Sequence, residues 1–411
     1  MAQESKIYKK KIAIIGGGPA GAMCAITAAQ STENEISIFD KGIILNTILP
    51  TGGGRCNLAY AEYEFRELAK FYPRGEKFLY SILSRFSTAE TIEFFQKAGV
   101  ETYTQDDNRI FPKSNSAKDV KEAFLKLLNK KNNIKKIFEN VIEVKKMGEK
   151  FLLKTNKGNH EFDVIVIASG GRSNGQSLAK KLGHNITELR PALCGLITIE
   201  KDFAEISGIS VKNLCAEVFF ENKKQKTLTG DLLFTHKGIS GPLVYKISSY
   251  CTYLNFNKNN PLKIKINLIN KSFEDFDEEF LNMLNKYPQK EALSVFSLFL
   301  PKNLACAIFE KIGADPKTKA GQLKKSIRQE LSKTATGLEL NATEMVKGEE
   351  IVTAGGVDLK EVNAKTMESK IVPNLYFCGE VLDIDGLTGG FNLQNCWSTG
   401  FVAGKALVPD F

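Results

Sequence analysis

A short apolar run, Ile12-Ala13-Ile14-Ile15, leads into Gly16-Gly17-Gly18-Pro19-Ala20-Gly21. Small residues then continue to about Gln30, and a second apolar run, Glu35–Phe39, ends at Asp40. Strand, glycine turn, helix and strand in that order make a βαβ unit. Its G-x-G-x-x-G lets the backbone turn tightly at Gly16, come close to a pyrophosphate at Gly18 and press helix on strand at Gly21. The helix N-terminus then faces the negative charge. Asp40 follows Gly21 by 19 residues, where a carboxylate accepts hydrogen bonds from an adenosine ribose. An acid at that place suits FAD or NAD and disfavours a 2′-phosphate. The amino end therefore predicts an α/β, Rossmann-like dinucleotide domain.

Two later stretches have the same grammar. Phe162–Ala168 is a buried-strand pattern ending in Ser169-Gly170-Gly171, where a compact backbone can approach a ligand. Asn374–Cys378 is another strand, ending in Gly379-Glu380, and Gly389-Gly390-Phe391-Asn392 opens a helix running to about Lys405. The N-terminus of that helix would stabilise negative charge on a reduced flavin, and Glu380 and Asp383 could accept ribityl hydroxyls. Gly400 and Gly404, one turn apart, would let the helix lie close on the first βαβ unit. Gly170-Gly171 and Gly355-Gly356 lack the spacing of a second G-x-G-x-x-G, so no separate nicotinamide domain is expected.

At 411 residues the chain exceeds what one core usually holds. Between about Pro191 and Asn270 the pattern turns to short alternating strands: Gly195–Ile199, Ala216–Phe220, Asp231–Phe234, Tyr253–Phe256 and Leu262–Leu268. These read as an antiparallel sheet or small barrel. Phe273–Ser332 reads as helical, and Leu338–Asn341 and Glu350–Thr353 return to strand character. The expected layout is a discontinuous dinucleotide domain (1–190 and 347–411), an inserted β-rich substrate domain (191–270 and 336–346) and a helical lobe (271–335).

Lys and Arg outnumber Asp and Glu by 56 to 47, a net charge of +9. From Lys113 to Lys157 there are 13 Lys, no Arg and 5 acidic residues, so 13 − 5 = +8 falls in one segment. Without Arg and with few aromatics, this reads as a solvated face rather than a nucleic-acid site. The eight Cys are never closer than 18 residues, which excludes a CxxC pair and zinc-ligand spacing and fits reduced thiols in the cytoplasm. With three His, no metal site is expected. Lys9-Lys10-Lys11 before Ile12–Ile15 has the order of a signal peptide, but Gly16–Pro19 interrupts it. No run of about 18 uncharged apolar residues follows, so no membrane span is expected.

Four further stretches occur in order: Gly52-Gly53-Gly54-Arg55-Cys56-Asn57, Thr235-His236-Lys237-Gly238-Ile239-Ser240-Gly241-Pro242, Thr353–Val357 and Gly379–Gly386. Together they resemble the bacterial NAD(P)/FAD-dependent oxidoreductase family of aminoacetone-oxidase-like flavoproteins, over nearly the whole chain. The resemblance implies a non-covalent FAD. Its adenosine half would lie on Gly16, Gly18, Pro19, Ala20 and Gly21 with Asp40 and Lys41, and Val141 would meet the adenine through backbone groups. The flavin end would lie near Gly53, Gly54, Arg55, Cys56 and Asn57. The ribityl and pyrimidine groups would meet Gly379, Glu380, Asp383 and the run Gly390, Phe391, Asn392, Leu393 and Gln394. Where the family carries a basic residue before the glycine triplet, this chain reads Leu45–Thr51.

Arg55 could neutralise a reduced flavin or hold an anionic substrate group. Cys56, with no partner nearby in sequence, reads as a packing residue. His236 is the one histidine in a motif-like setting and is a candidate proton donor or acceptor. His160 and His184 read as surface residues, and Trp397 as core. The expected activity is hydride transfer between FAD and a small organic substrate, with NAD(P)H as a transient donor or O2 as acceptor. Reduction of an activated C=C bond and oxidation of a small amine both remain open. A flavin-loaded RNA-binding or scaffold protein using the Lys113–Lys157 face is the alternative.

Overall fold

The computed structural model describes residues 10–31 and 34–408; Lys9 of the basic run lies outside them. The chain forms two compact units, 1–190 with 352–411 and 191–351.

In the first unit, five parallel strands stand in the order Leu375–Phe377, Val164–Ile167, Lys11–Ile15, Glu35–Phe39, Ile134–Ile137. The first strand is central: Ile12 pairs with Val164 and Ile36, and Ile15 with Ile167 and Phe39. Its continuous apolar run reflects burial on both faces, as parallel sheets require. Strands from residues 11, 164 and 375 thus become neighbours, and all their carboxyl ends open on one edge. An antiparallel meander, Val141–Met147, Lys150–Thr155 and Asn159–Phe162, belongs to the same unit.

The helix Phe391–Ala406 packs against the helix Pro19–Ala28, and glycine makes this possible. A Cβ at Gly400 would stand 2.4 Å from the Ala20 carbonyl oxygen, and one at Gly404 2.6 Å from Thr27 Cβ. Trp397 lies in the core, stacked on Phe124 with its indole N–H donated to Leu58 O at 3.0 Å.

The second unit is a closed six-stranded barrel of Leu196–Thr198, Gly238–Ser240, Lys223–Thr235, Ser210–Phe220, Leu262–Asn267 and Leu338–Met345. Helices Phe273–Lys286, Lys302–Lys311 and Lys325–Thr336 share one hydrophobic core with it. The expected strand Tyr253–Phe256 is irregular, because Pro242–Cys251 just before it is a helix. Gly241 at φ 95° with Pro242 at the first helical position starts that helix, and Leu243, Val244, Ile247 and Cys251 bury one side of it.

No helix among the described residues is long and apolar enough to cross a membrane. Among them no cluster of three or more His, Cys, Asp or Glu could hold a metal ion.

Candidate nucleotide and redox site

The turn from Ile15 into Pro19 is built by three glycines with different duties. Gly16, at φ 109°, lies where a Cβ would meet the Ala168 carbonyl oxygen at 2.4 Å, and a Cβ on Gly21 would meet the Gly16 oxygen at 2.0 Å. Both positions are closed by packing. Gly18 differs: the nearest atom to its Cβ position is Thr47 Oγ1 at 3.7 Å, so the space is open. The helix beginning at Pro19 has no side-chain cap, leaving its first N–H groups to a ligand. The Asp40 carboxylate accepts from Gly17 N and Gly42 N, each at 2.8 Å, which holds it beside the turn, with Lys41 exposed next to it. Leu45 N donates to Gly17 O at 2.8 Å, so the stretch that replaces the family's basic residue brings Thr47 to the turn.

The strand ends at Ile167 and Phe377 supply a second group. The Glu380 carboxylate accepts from Thr353 N at 2.8 Å and from Gly171 N, while burial pushes its pKa up against those two bonds. Side chain and loop are close-fitted, since a Cβ at Gly171 would stand 2.8 Å from Glu380 Oε1. Gly379, at φ 76°, seats the loop on Ala20. Burial also raises the Asp383 carboxyl, against a hydrogen bond with Thr187 and the charge of Arg74, and Asp383 Oδ1 is buried without a partner. Ser169 Oγ is likewise buried and unpartnered. Two orphaned oxygens and an open cradle over Gly18 are what a polyhydroxylated, pyrophosphate-bearing group such as FAD would satisfy.

At the glycine triplet, Gly52, Gly53 and Gly54 all have positive φ (58°, 68° and 85°), and Cys56 follows at 63°. No atom lies within 4 Å of a Cβ at Gly53. The Arg55 guanidinium lies over the Phe111 ring, 4.1 Å from its centroid, with Nε donating to Gly52 O at 3.3 Å. Cys56 is fully buried and desolvation pushes its thiol to about 12, so it packs as a thiol and offers no thiolate. Asn57, with its amide turned to match its neighbours, donates to Ala59 O at 3.1 Å and accepts from Gly390 N at 3.1 Å. That bond ties the triplet to the start of the C-terminal helix.

The run from Gly390 contributes backbone more than side chains. Phe391 stacks on Phe71 (4.6 Å, 11°), Asn392 bonds Gly386 through both amide atoms at 2.8 Å, and Gln394 is buried between Thr91 and Ser398. Gly390, Asn392 and Leu393 are left half-exposed. The side chains of Phe391, Asn392 and Gln394 are thus engaged by protein neighbours, which leaves the backbone of this run to meet a ligand. Val141 is buried, and its carbonyl accepts from Asn174 Nδ2 at 2.7 Å. His236 belongs to the second unit, exposed in the barrel hairpin between Thr235 and Gly238.

His184 is the clearest departure from the sequence reading. It is buried, with Nδ1 3.1 Å from Glu361 Oε2 and Nε2 3.0 Å from Ser369 Oγ. Both partners lie about 180 residues away in sequence, so no local signal announced them. Sequence reasoning also missed Thr47, Thr187, Thr353 and the ion pair of Arg74 with the fully buried Asp385. That pair anchors the loop carrying Asp383.

The profile of the HI0933-like protein Rossmann domain matches residues 10–406. The chain is 32% identical to the ribosomal RNA dihydrouridine synthase of Escherichia coli, over 96% of this chain and 97% of that one. It is 29% identical to the 3-dehydro-bile acid Δ4,6-reductase of Clostridium scindens, over 96% and 98%. The namesake synthase of Haemophilus influenzae is 28% identical, over 97% and 98%. Among solved structures, an E. coli quinol fumarate reductase matches with a TM-score of 0.50 at 13% identity, over 97% of this chain and 70% of that one. This last likeness is one of fold alone.

Proposed function

The chain belongs to the HI0933-like Rossmann-domain family, within the FAD-binding flavoprotein oxidoreductases, and from that premise we propose that it reduces the C5=C6 bond of uridine in ribosomal RNA, with NAD(P)H as electron donor. The observation that carries this reading is the end-to-end likeness to the E. coli ribosomal RNA dihydrouridine synthase. The bile-acid reductase, at similar identity, supports a second reading in which the substrate is a small conjugated ketone. Both reactions add two electrons and two protons to a C=C bond polarised by a carbonyl, so the relatives favour reduction over amine oxidation.

When bound, FAD supplies the two-electron carrier that passes a hydride to carbon. Gly16–Gly18 and the first turn of the Pro19 helix would hold its pyrophosphate, and Asp40 the adenosine ribose. Glu380 and Asp383, both raised by burial, would hold ribityl hydroxyls. Backbone N–H groups where the Phe391 helix begins would face negative charge on the reduced pyrimidine. Arg55, braced on Phe111, would take an anionic group of the substrate, and His236 is the candidate proton donor.

The test is anaerobic. NADH or NADPH should bleach the yellow protein, and an unmodified ribosomal RNA transcript should restore the colour while dihydrouridine appears by mass spectrometry. Recolouring by a conjugated ketone with no response to RNA would move the reading to its small-molecule form. A colourless protein that takes up no FAD on reconstitution would end both.

A further inference from the structure

The relatives' names reopen the RNA partner that composition argued against. A cleft of about 720 Å³ lies at the amino ends of the parallel strands, the end opposite Gly16–Gly18. Its wall includes Lys11 and Glu35, where two strands begin, Lys130 and Lys131 in the turn after the helix Ala117–Asn129, Lys135 on the edge strand and Glu161 on the meander. The turn is built rather than loose: Asn133 Nδ2 donates to Ser31 O and Asn34 O, both at 3.0 Å.

Among the described residues, three of the thirteen lysines of the +8 segment lie beside carboxylates. Lys113, Lys145 and Lys150 reach Glu101, Glu143 and Glu161, and Lys146 lies over the Phe151 ring, its pKa lowered by burial. Lys130, Lys131 and Lys135 have no carboxylate partner among the described residues, and Lys150 engages the carboxylate of Glu161 in the same cleft. The wall carries Lys11, Lys130, Lys131 and Lys135 against Glu35 and Glu161, so 4 − 2 = +2 falls on one concave surface, a balance that favours an anion. Lysines without arginine suit point contacts with phosphates, which fix position and carry no sequence information. The scarcity of aromatics, an objection to base readout, is none to backbone docking.

We propose, resting on the RNA reading of the substrate, that this cleft is a docking site for the RNA sugar–phosphate backbone, distinct from the redox site. It would hold the polyanion through Lys130, Lys131 and Lys135 while the target base is presented at the carboxyl edge of the sheet.

The experiment compares the wild-type holoprotein with the triple variant Lys130→Gln, Lys131→Gln, Lys135→Gln. A control, Lys223→Gln, Lys224→Gln, Lys226→Gln, removes the same charge from the barrel hairpin. Affinity for an unmodified ribosomal RNA transcript is measured against salt, and turnover is measured alongside. Each lost phosphate contact lowers the log–log salt slope by about 0.7–0.9, so the variant should lose roughly 2–3 units. Its KM for RNA should rise with kcat and flavin content unchanged. A wild-type slope in the variant, an equal loss in the control, or a loss seen with anionic vesicles and not with RNA would overturn the proposal. RNA held through these lysines but never reduced would leave the docking site standing and defeat the substrate reading. RNA reduced with an unaltered slope would do the reverse.

Discussion

His184 sits between Glu361 and Ser369 with its ring edge-on to Phe377. Desolvation lowers its pKa from 6.5, against the pull of Glu361. The folded state thus resists protonation, the unfolded chain binds the extra proton, and stability is lost as pH falls below about 6.5. The loss cannot exceed about 1.4 kcal/mol per pH unit for one proton. Denaturant midpoints between pH 7.5 and 5.5 should fall in the wild type and fall less in His184→Gln, which keeps hydrogen-bonding atoms without the titration. Equal slopes in the two proteins would refute the assignment. Nothing in Leu182-Gly183-His184-Asn185 signals this setting, because burial here comes from Glu361 and Ser369 folding back from the other end of the chain. Cys56 was legible for the opposite reason: with no second cysteine near it in sequence, packing was the simpler reading, and its raised thiol pKa agrees.

The C-terminal helix sets two effects against each other. By intrinsic propensity, Gly404→Ala should stabilise a helix by about 1 kcal/mol. The added methyl, however, would lie 2.6 Å from Thr27 Cβ and 2.7 Å from the Cys24 carbonyl oxygen, and forced overpacking costs about 1–3 kcal/mol. Because backbone cannot swing aside, the clash should win. Gly404→Ala is expected to melt a few degrees lower by calorimetry, and a higher melting temperature would show that the two helices can separate freely. The glycine spacing made this contact readable from the sequence. The helix Pro242–Cys251 was not read from the sequence, although Leu243, Val244, Ile247 and Cys251 have helical spacing.

Across the molecule, the unit formed by residues 1–190 and 352–411 gathers every proposed cofactor contact, while 191–351 closes a barrel with its own core. A ligand that binds only the folded state adds about 2.7 kcal/mol at 100 times its Kd. Saturating FAD should therefore raise the melting temperature of the first unit by roughly 5–10 °C. Gly18→Val, which fills the open space over the turn, should lose both the shift and the bound flavin. An undiminished shift in that variant would mean the turn is only structural.

The βαβ unit, Asp40, the glycine turns and the change of pattern near Pro191 were determined by sequence alone, since each depends on conformations and periods that a few neighbouring residues impose. Tertiary structure decided which side chains are free to meet a ligand. It engaged Phe391, Asn392 and Gln394 with protein neighbours, left Asp383 Oδ1 and Ser169 Oγ without partners, and set Lys130, Lys131 and Lys135 around one cleft. Whether a polar atom is satisfied or a charge compensated depends on groups far away in the chain, and only the folded chain brings those groups together.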